Sequence, residues 1–333
     1  MKTRQIGPFS VSALGLGCMN LSHAYGTPPD AAQGERVLLA ALDAGVTLFD
    51  TAALYGFGAN ETLVGRALKP HRRRFTLASK GGMAGVTGDD GVVRRVIDGR
   101  PETLRRNCED SLKRLQTDVI DLYYLHRWDK KVPIEDSVGA MGDLVRQGKV
   151  RAVGLSEVSA VTLRKAHAAH PIAAVQTEYS LWTRNPEVAV LEACRELGAA
   201  FVAFSPLARG FLCDALHDVS ALDAKDIRKS MPRFSPDNYA ANLKLLPAYK
   251  ALAQEAGCTP AQLALAWLLH KAPHILPIPG TTRTEHLRED LGAVDVALDA
   301  GLLSRLEALV NKDTVQGNRY SDQSRGEVDT EEF

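Results

Sequence analysis

Asp50, Tyr55, Lys80 and His126 are the residues whose types and spacing suit chemistry. Three of them follow short apolar runs: Val46-Thr47-Leu48-Phe49 before Asp50, Phe75 to Ser79 before Lys80, and Val119 to Leu125 before His126. Tyr55 lies in the loop that Asp50 opens. If those runs are adjacent parallel strands, a carboxylate, a phenol, an ammonium and an imidazole meet at one end of one sheet. That set suits proton transfer to a carbonyl oxygen. A phenol with a pKa of about 10 is a poor acid or base at neutral pH. An ammonium beside it favours the phenolate and lowers that pKa. In this reading Lys80 supplies the charge and Asp50 holds Lys80. His126 orients the substrate oxygen, and Tyr55 gives the proton in reduction and takes it in oxidation. Each residue alone has a plainer reading: Asp50 as a cap, Tyr55 as packing, Lys80 as a surface charge, His126 as a core histidine. Their recurrence at three consecutive strand ends is what favours the chemical reading.

The elements that must position them alternate regularly. Candidate strands are Leu14–Gly17, Val46–Phe49, Phe75–Ser79, Val119–Tyr124, Val150–Leu155, Ala173–Gln176, Ala200–Phe204 and Ile275–Ile278. Several are apolar at successive positions, as in strands covered on both faces. Helical spacing fills the intervals. Pro101 opens one helix, with Leu104, Cys108, Ser111, Leu112 and Leu115 on one face. Thr259-Pro260-Ala261-Gln262 has the form of a capping box. Gly45, Gly148 and Gly198 fall between a helix and the next strand, where a left-handed cap is needed. Eight alternations predict an α/β fold, a single-domain (β/α)8 TIM barrel over residues 1–311, with 312–333 a C-terminal tail outside the core. Arg4–Ile6 and Phe9–Val11 predict a β-hairpin capping the far end. Two long loops, from Gly81 to Arg100 and from Ser205 to about Asp237, fall on the C-terminal face, where barrel sites lie.

Composition narrows the class. The 333 residues carry 40 basic and 40 acidic side chains, so neither nucleic acid nor an anionic membrane is the expected partner. Cys18, Cys108, Cys194, Cys213 and Cys258 are odd in number and widely spaced, which fits a reducing cytoplasm rather than a disulfide framework. The N-terminus has no signal-like apolar stretch, and Leu263 to Leu269 is too short to span a bilayer. Gly15-Leu-Gly17 begins a dinucleotide fingerprint, but position 20 is Asn. No H-x-H or H-E-x-x-H accompanies His126 and Asp50, so no metal site is expected.

From near residue 5 to near 310 the chain resembles the aldo-keto reductases, in their bacterial branch acting on small aldehydes and ketones. The carrying stretches are Gly45 to Gly56, Leu77 to Lys80, Asp118 to His126, Gly154 to Glu157, Gln176 to Ser180, Phe204 to Leu207 and Ile278 to Arg283. Asn60 to Arg66 and Ser230-Met-Pro-Arg-Phe234 point to that branch. The resemblance implies NADPH as cofactor, and Asp50, Tyr55, Lys80 and His126 as a catalytic tetrad. It implies that Ser156 and Gln176 bind the nicotinamide carboxamide, with Glu157 where many members have Asn. Phe204 takes a stacking position often held by tyrosine. Ser205, Leu207 and Arg209 would cover the pyrophosphate. Arg283 is the candidate for the 2′-phosphate, since a guanidinium binds phosphate through two parallel hydrogen bonds. Gly280, Thr281 and Thr282 lead into it at an apparent helix N-terminus. Glu289 and Asp290 match a Glu-Asn pair near the adenine, and Asp290 keeps an acceptor while dropping the amide donor.

Tyr25, Phe57, Trp128, Tyr179 and Trp182 fall on loops of the active face, and Tyr25 and Trp128 are the expected substrate contacts. The expected activity is NADPH-dependent reduction of aldehydes and some ketones, with a small carbonyl compound as partner. The alternative is a slow-turnover, redox-sensing subunit of the same fold. An open-sheet dinucleotide dehydrogenase is disfavoured by the broken fingerprint.

Overall fold

The chain opens on an antiparallel hairpin, β1 (Thr3–Ile6) with β2 (Phe9–Ser12), as expected. The computed structural model describes residues 1–333. One sheet follows in chain order: β3 (Leu16–Gly17), β4 (Leu48–Asp50) and β5 (Thr76–Gly81). A second hairpin, β6 (Met83–Thr87) and β7 (Val93–Ile97), interrupts it. The sheet resumes with β8 (Ile120–Leu125), β9 (Val150–Ser156), β10 (Ile172–Glu178), β11 (Ala200–Phe204) and β12 (Ile275–Pro277). All eight strands run parallel to their neighbours. The two ends join: Gly15 N–H donates to the Pro277 carbonyl at 3.1 Å, and Gly17 N–H to that of Pro279 at 3.0 Å. The expected (β/α)8 barrel is therefore the observed fold.

The outer layer is α1 (Ala31–Asp43), α2 (Ala59–Leu68), α3 (Pro101–Leu115), α4 (Ile134–Arg146), α5 (Ala160–Ala169) and α6 (Val190–Leu197). It continues with α7 (Pro236–Leu243), α8 (Leu246–Glu255), α9 (Pro260–Lys271), α10 (Thr284–Leu291) and α11 (Ala300–Leu309). A single turn, α12 (Asp322–Arg325), lies in the tail. The capping box forms at α9, with Thr259 and Gln262 satisfying each other's backbone N–H. No helix is long and apolar enough to cross a membrane.

Strand period sorts the side chains into two cores. Leu48, Ala78, Leu122, Tyr124, Ala152, Ala174, Ala200, Val202 and Leu276 point inward and meet Ile6 and Val11 of the hairpin. Phe49, Leu77, Tyr123, Leu125, Val153, Val175 and Phe201 point outward under the helices. Burying a Leu, Val or Phe this way stabilises by about 1.5–3 kcal/mol each. Gly154 is small of necessity, because a Cβ there would lie 2.4 Å from the Tyr124 ring.

The two long loops are structured. Residues 81–100 hold the β6–β7 hairpin, and 205–237 run through short 3-10 turns. The tail departs from its expected place outside the core. Val315 and Val328 are buried, and residues 319–331 cross the mouth of the barrel.

Candidate active site

Six of the inward rows end in a polar or aromatic group at the C-terminal end of their strands. Two residues beyond Leu48 is Asp50, and two beyond Ala78 is Lys80. The same step leads from Tyr124 to His126, from Gly154 to Ser156, from Ala174 to Gln176 and from Val202 to Phe204. The alternation of strand side chains thus delivers six groups to one pocket floor.

Lys80 is buried, and its three N–H bonds have three acceptors. They reach an Asp50 carboxylate oxygen, the Thr51 carbonyl at 2.9 Å and the Tyr55 hydroxyl at 3.2 Å. The other Asp50 oxygen accepts from Gln176 Nε2 at 2.8 Å. Tyr55 stands between two imidazoles, stacked with His23 at 6.3 Å and edge-on to His126 at 5.8 Å. The tetrad residues therefore converge, as the strand ends predicted.

Electrostatics refine the expected roles. Burial pushes the Tyr55 pKa up, and the Lys80 ammonium only partly offsets it, so the net shift is upward rather than the depression expected from Lys80 alone. Burial lowers the Lys80 pKa, but the Asp50 carboxylate outweighs it and the net is upward. Burial drives the His126 pKa well down, helped by the Arg127 and Lys80 charges, so the ring is neutral at pH 7. Its Nδ1 is buried with no protein partner.

A pocket of about 760 Å³ extends from these groups to Glu289 and Asp290. Asp50, Tyr55, His126, Ser156, Gln176, Phe204, Ser205, Leu207 and Arg209 line it. So do Tyr25, Gly280, Thr281, Thr282, Glu289 and Asp290. Burial, reinforced by Glu289, raises Asp290 to about 7. Near neutral pH this carboxyl therefore retains much of the donor capacity that replacing an amide had appeared to remove.

Three expected contacts fall outside the lining. Trp128 packs on the outer core and donates Nε1–H to the Val132 carbonyl at 2.7 Å, so it does not face the substrate region. Glu157 is buried; it accepts from the Glu178 N–H at 3.0 Å and from the Arg319 guanidinium. Its carboxylate serves the tail, not the groove. Arg283 is exposed at the N-terminus of α10, next to Thr282, with no ion pair. Of the other loop aromatics, Tyr179 and Trp182 are buried packing and Phe57 is exposed.

Other groups were missed by the sequence reading. Asn60 is wholly buried; its side chain accepts from Thr51 Oγ1 at 2.6 Å and donates to the Cys18 carbonyl at 2.8 Å. It thereby fixes the residue whose carbonyl holds Lys80. Beside it, buried Glu61 accepts from Ser79 and from Arg114 at 2.6 Å, gripping the residue before Lys80. Their pairing in Asn60-Glu61 was visible, but its target was not. The tail is the larger omission. Tyr320, Ser321, Ser324, Glu327 and Val328 wall the pocket. Arg319 binds Glu157 and lies 3.4 Å from Glu178, Glu327 pairs with Arg95, and Lys130 donates to the Val328 carbonyl at 2.7 Å. Asp329 accepts from Ser159 Oγ at 3.0 Å, and Glu331 from the Ala160 N–H at 2.7 Å.

Burial raises the Glu178 pKa, but Arg209 and Arg319 outweigh it and hold it at about 2. The pKa is depressed in the fold, so this stabilisation is present above about 4.5 and lost as pH falls toward about 2. Arg319→Met leaves Glu157 buried without its cation, a loss of about 3–5 kcal/mol in tail docking. Its expected result is rapid protease cleavage within 315–333 and a several-fold higher substrate KM. A tail as resistant as wild type, with unchanged KM, would refute the clasp.

A closed parallel barrel with an Asp-Tyr-Lys-His cluster at its C-terminal mouth defines the class of protein. The profile of the Aldo/keto reductase family matches residues 13–311. The chain belongs to that family. It is 44% identical over 313 residues to a protein of Glycine max described as probable aldo-keto reductase 1, covering 94% of this chain and 89% of that one. A glycerol dehydrogenase from Gluconobacter oxydans superposes with a TM-score of 0.86 at 27% identity, covering 96% of this chain and 98% of that one. An aldo/keto reductase from Klebsiella pneumoniae, solved with NADP and acetate, gives a TM-score of 0.71 at 29% identity, covering 96% and 99%.

Proposed function

We propose that the protein is an NADPH-dependent reductase of aldehydes and some ketones, with Tyr55 as general acid. One observation carries this reading: the Lys80 ammonium, fixed by Asp50 and the Thr51 carbonyl, lies 3.2 Å from the Tyr55 hydroxyl on the pocket floor.

The residues present suit the cofactor. Gln176 binds Asp50 through its amide N–H and lines the pocket, where its amide suits pairing with a carboxamide. Ser156 lines the same wall, and Phe204 offers a ring face for stacking. Thr281 and Thr282 line the pocket at the N-terminus of α10, and the unpaired Arg283 guanidinium follows just outside the lining, a set that suits a phosphate. His286, one turn further on, lines the pocket beside them.

NADPH, when bound, supplies the hydride to the carbonyl carbon. Neutral His126 donates a hydrogen bond to the carbonyl oxygen and orients it. Tyr55 passes its proton to that oxygen as charge develops there. Lys80 stabilises the resulting phenolate, and Asp50 keeps Lys80 charged and aimed.

A panel of aldehydes assayed with NADPH and NADH side by side tests the reading. Turnover with NADPH is expected, at a kcat/KM about 10–100-fold above that with NADH, the worth of charge-assisted hydrogen bonds to one phosphate. Arg283→Ala is expected to narrow that ratio through weaker NADPH binding. Equal efficiency with both cofactors would remove the clamp, and negligible turnover on the whole panel would remove the reductase reading.

A further inference from the structure

The reacting end of the pocket holds one cation that no anion answers. Four arginines line the pocket: Arg95, Arg127, Arg209 and Arg228. Arg95 is paired with Glu327, Arg209 with Glu178 at 2.6 Å and Arg228 with Asp226 at 2.7 Å. Arg127 pairs with no carboxylate. Its Nη1 donates to the His126 carbonyl at 2.6 Å and to Ser156 Oγ at 3.1 Å. Nε and Nη2 have no protein acceptor, and neither is among the fully buried polar atoms.

Its position is next to the chemistry. Arg127 follows His126, whose ring meets Tyr55 edge-on at 5.8 Å. Its charge is felt by both the Tyr55 phenol and the His126 imidazole. Around Tyr55 three cations, Lys80, Arg95 and Arg127, face two carboxylates, Asp50 and Glu327. Burial lowers the pKa of both His126 and His23, so neither adds a charge at pH 7. The surplus is a single positive charge on a planar fork with unused N–H groups. That geometry matches a carboxylate, whose two oxygens accept parallel hydrogen bonds. A dianionic phosphate would overshoot the charge.

We propose that the substrate is a carbonyl compound that also bears a carboxylate, bound by Arg127 while its carbonyl oxygen rests against Tyr55 and His126. This rests on the reductase reading above and adds a substrate class to it. The carboxylate neutralises the site. The remaining skeleton meets Leu54, Met83 and Val328, which suits a short carbon chain or a single ring.

The test compares 4-carboxybenzaldehyde with its methyl ester, methyl 4-formylbenzoate, under NADPH. Ring and aldehyde position are the same; the ester loses the charge, gains a methyl group and has the more electrophilic aldehyde, so a preference for the acid runs against intrinsic reactivity. The expected wild-type ratio of kcat/KM, acid over ester, is about 10-fold or more. Arg127→Gln is expected to collapse that ratio to about 1, and Arg127→Lys to restore part of it. The KM of the acid should rise with ionic strength while that of the ester does not. A wild-type ratio at or below 1, or one that Arg127→Gln leaves unchanged, overturns the proposal. Reduction of the ester without preference for the acid sinks the carboxylate alone. Reduction of neither sinks the reductase reading with it.

Discussion

Tyr55→Phe is expected to lower kcat/KM for aldehyde reduction by about 10²–10⁴-fold, the usual worth of a positioned proton donor. NADPH binding, followed by fluorescence titration, should stay within about two-fold of wild type. The substitution removes one oxygen and keeps the ring between His23 and His126. Lys80 keeps its two stronger acceptors, the Asp50 carboxylate and the Thr51 carbonyl. The cost to stability is therefore limited to one unmade hydrogen bond, about 1–3 kcal/mol. Turnover within ten-fold of wild type would rule out Tyr55 as the acid. Both Tyr55 and Lys80 have raised pKa values, and His126 is neutral well below its usual range. With NADPH saturating, so that Asp290 does not enter, kcat/KM for the aldehyde should accordingly be flat from about pH 6 to 9.

Lys80→Met should affect both activity and stability. Activity is expected to fall about 10³-fold, because the Tyr55 oxygen loses the charge that stabilises its deprotonated form. Stability should drop by about 3–5 kcal/mol, since Asp50 is left charged and buried with only Gln176 beside it. The double variant Asp50→Asn/Lys80→Met separates the two effects. Removing both charges should restore much of the lost stability in denaturant melts while activity stays low. Recovery of activity in the double variant would show that the pair is structural only. The sign with pH follows from the raised Lys80 pKa. Its contribution is complete below the unfolded value of 10.5 and is lost as pH rises through the higher folded value. Wild type should thus lose stability in strong alkali through a step that Lys80→Met lacks.

Much of this site was readable because strand geometry is periodic. Leu48, Ala78 and Tyr124 are inward and buried, so Asp50, Lys80 and His126 two positions later must share their side. The same count places Ser156, Gln176 and Phe204, and no loop conformation enters it. Trp128 was misplaced because it lies beyond a strand end, where the count stops and the turn near Val132 sets its direction. Glu157 takes a left-handed backbone, φ 58°, one residue past the end of β9, which turns its carboxylate toward Arg319. The tail was unreadable for a different reason. It is rich in Gly, Ser, Asp and Glu and shows no period, and it is held by single ion pairs with groups some 160 residues away, such as Arg319 with Glu157. Local pattern carries no trace of such contacts.

The crossing tail also sets an order of assembly. The barrel closes when β12 joins β3, a step that needs the chain only as far as Pro279. The tail residues that wall the pocket, Tyr320 to Val328, come later in the chain than that point. A nascent or truncated chain can therefore hold an assembled Asp50-Lys80 pair beneath an unroofed site. The roof of the pocket is thus a later layer than the floor beneath it, held by side-chain contacts such as Arg319 with Glu157 rather than by the sheet.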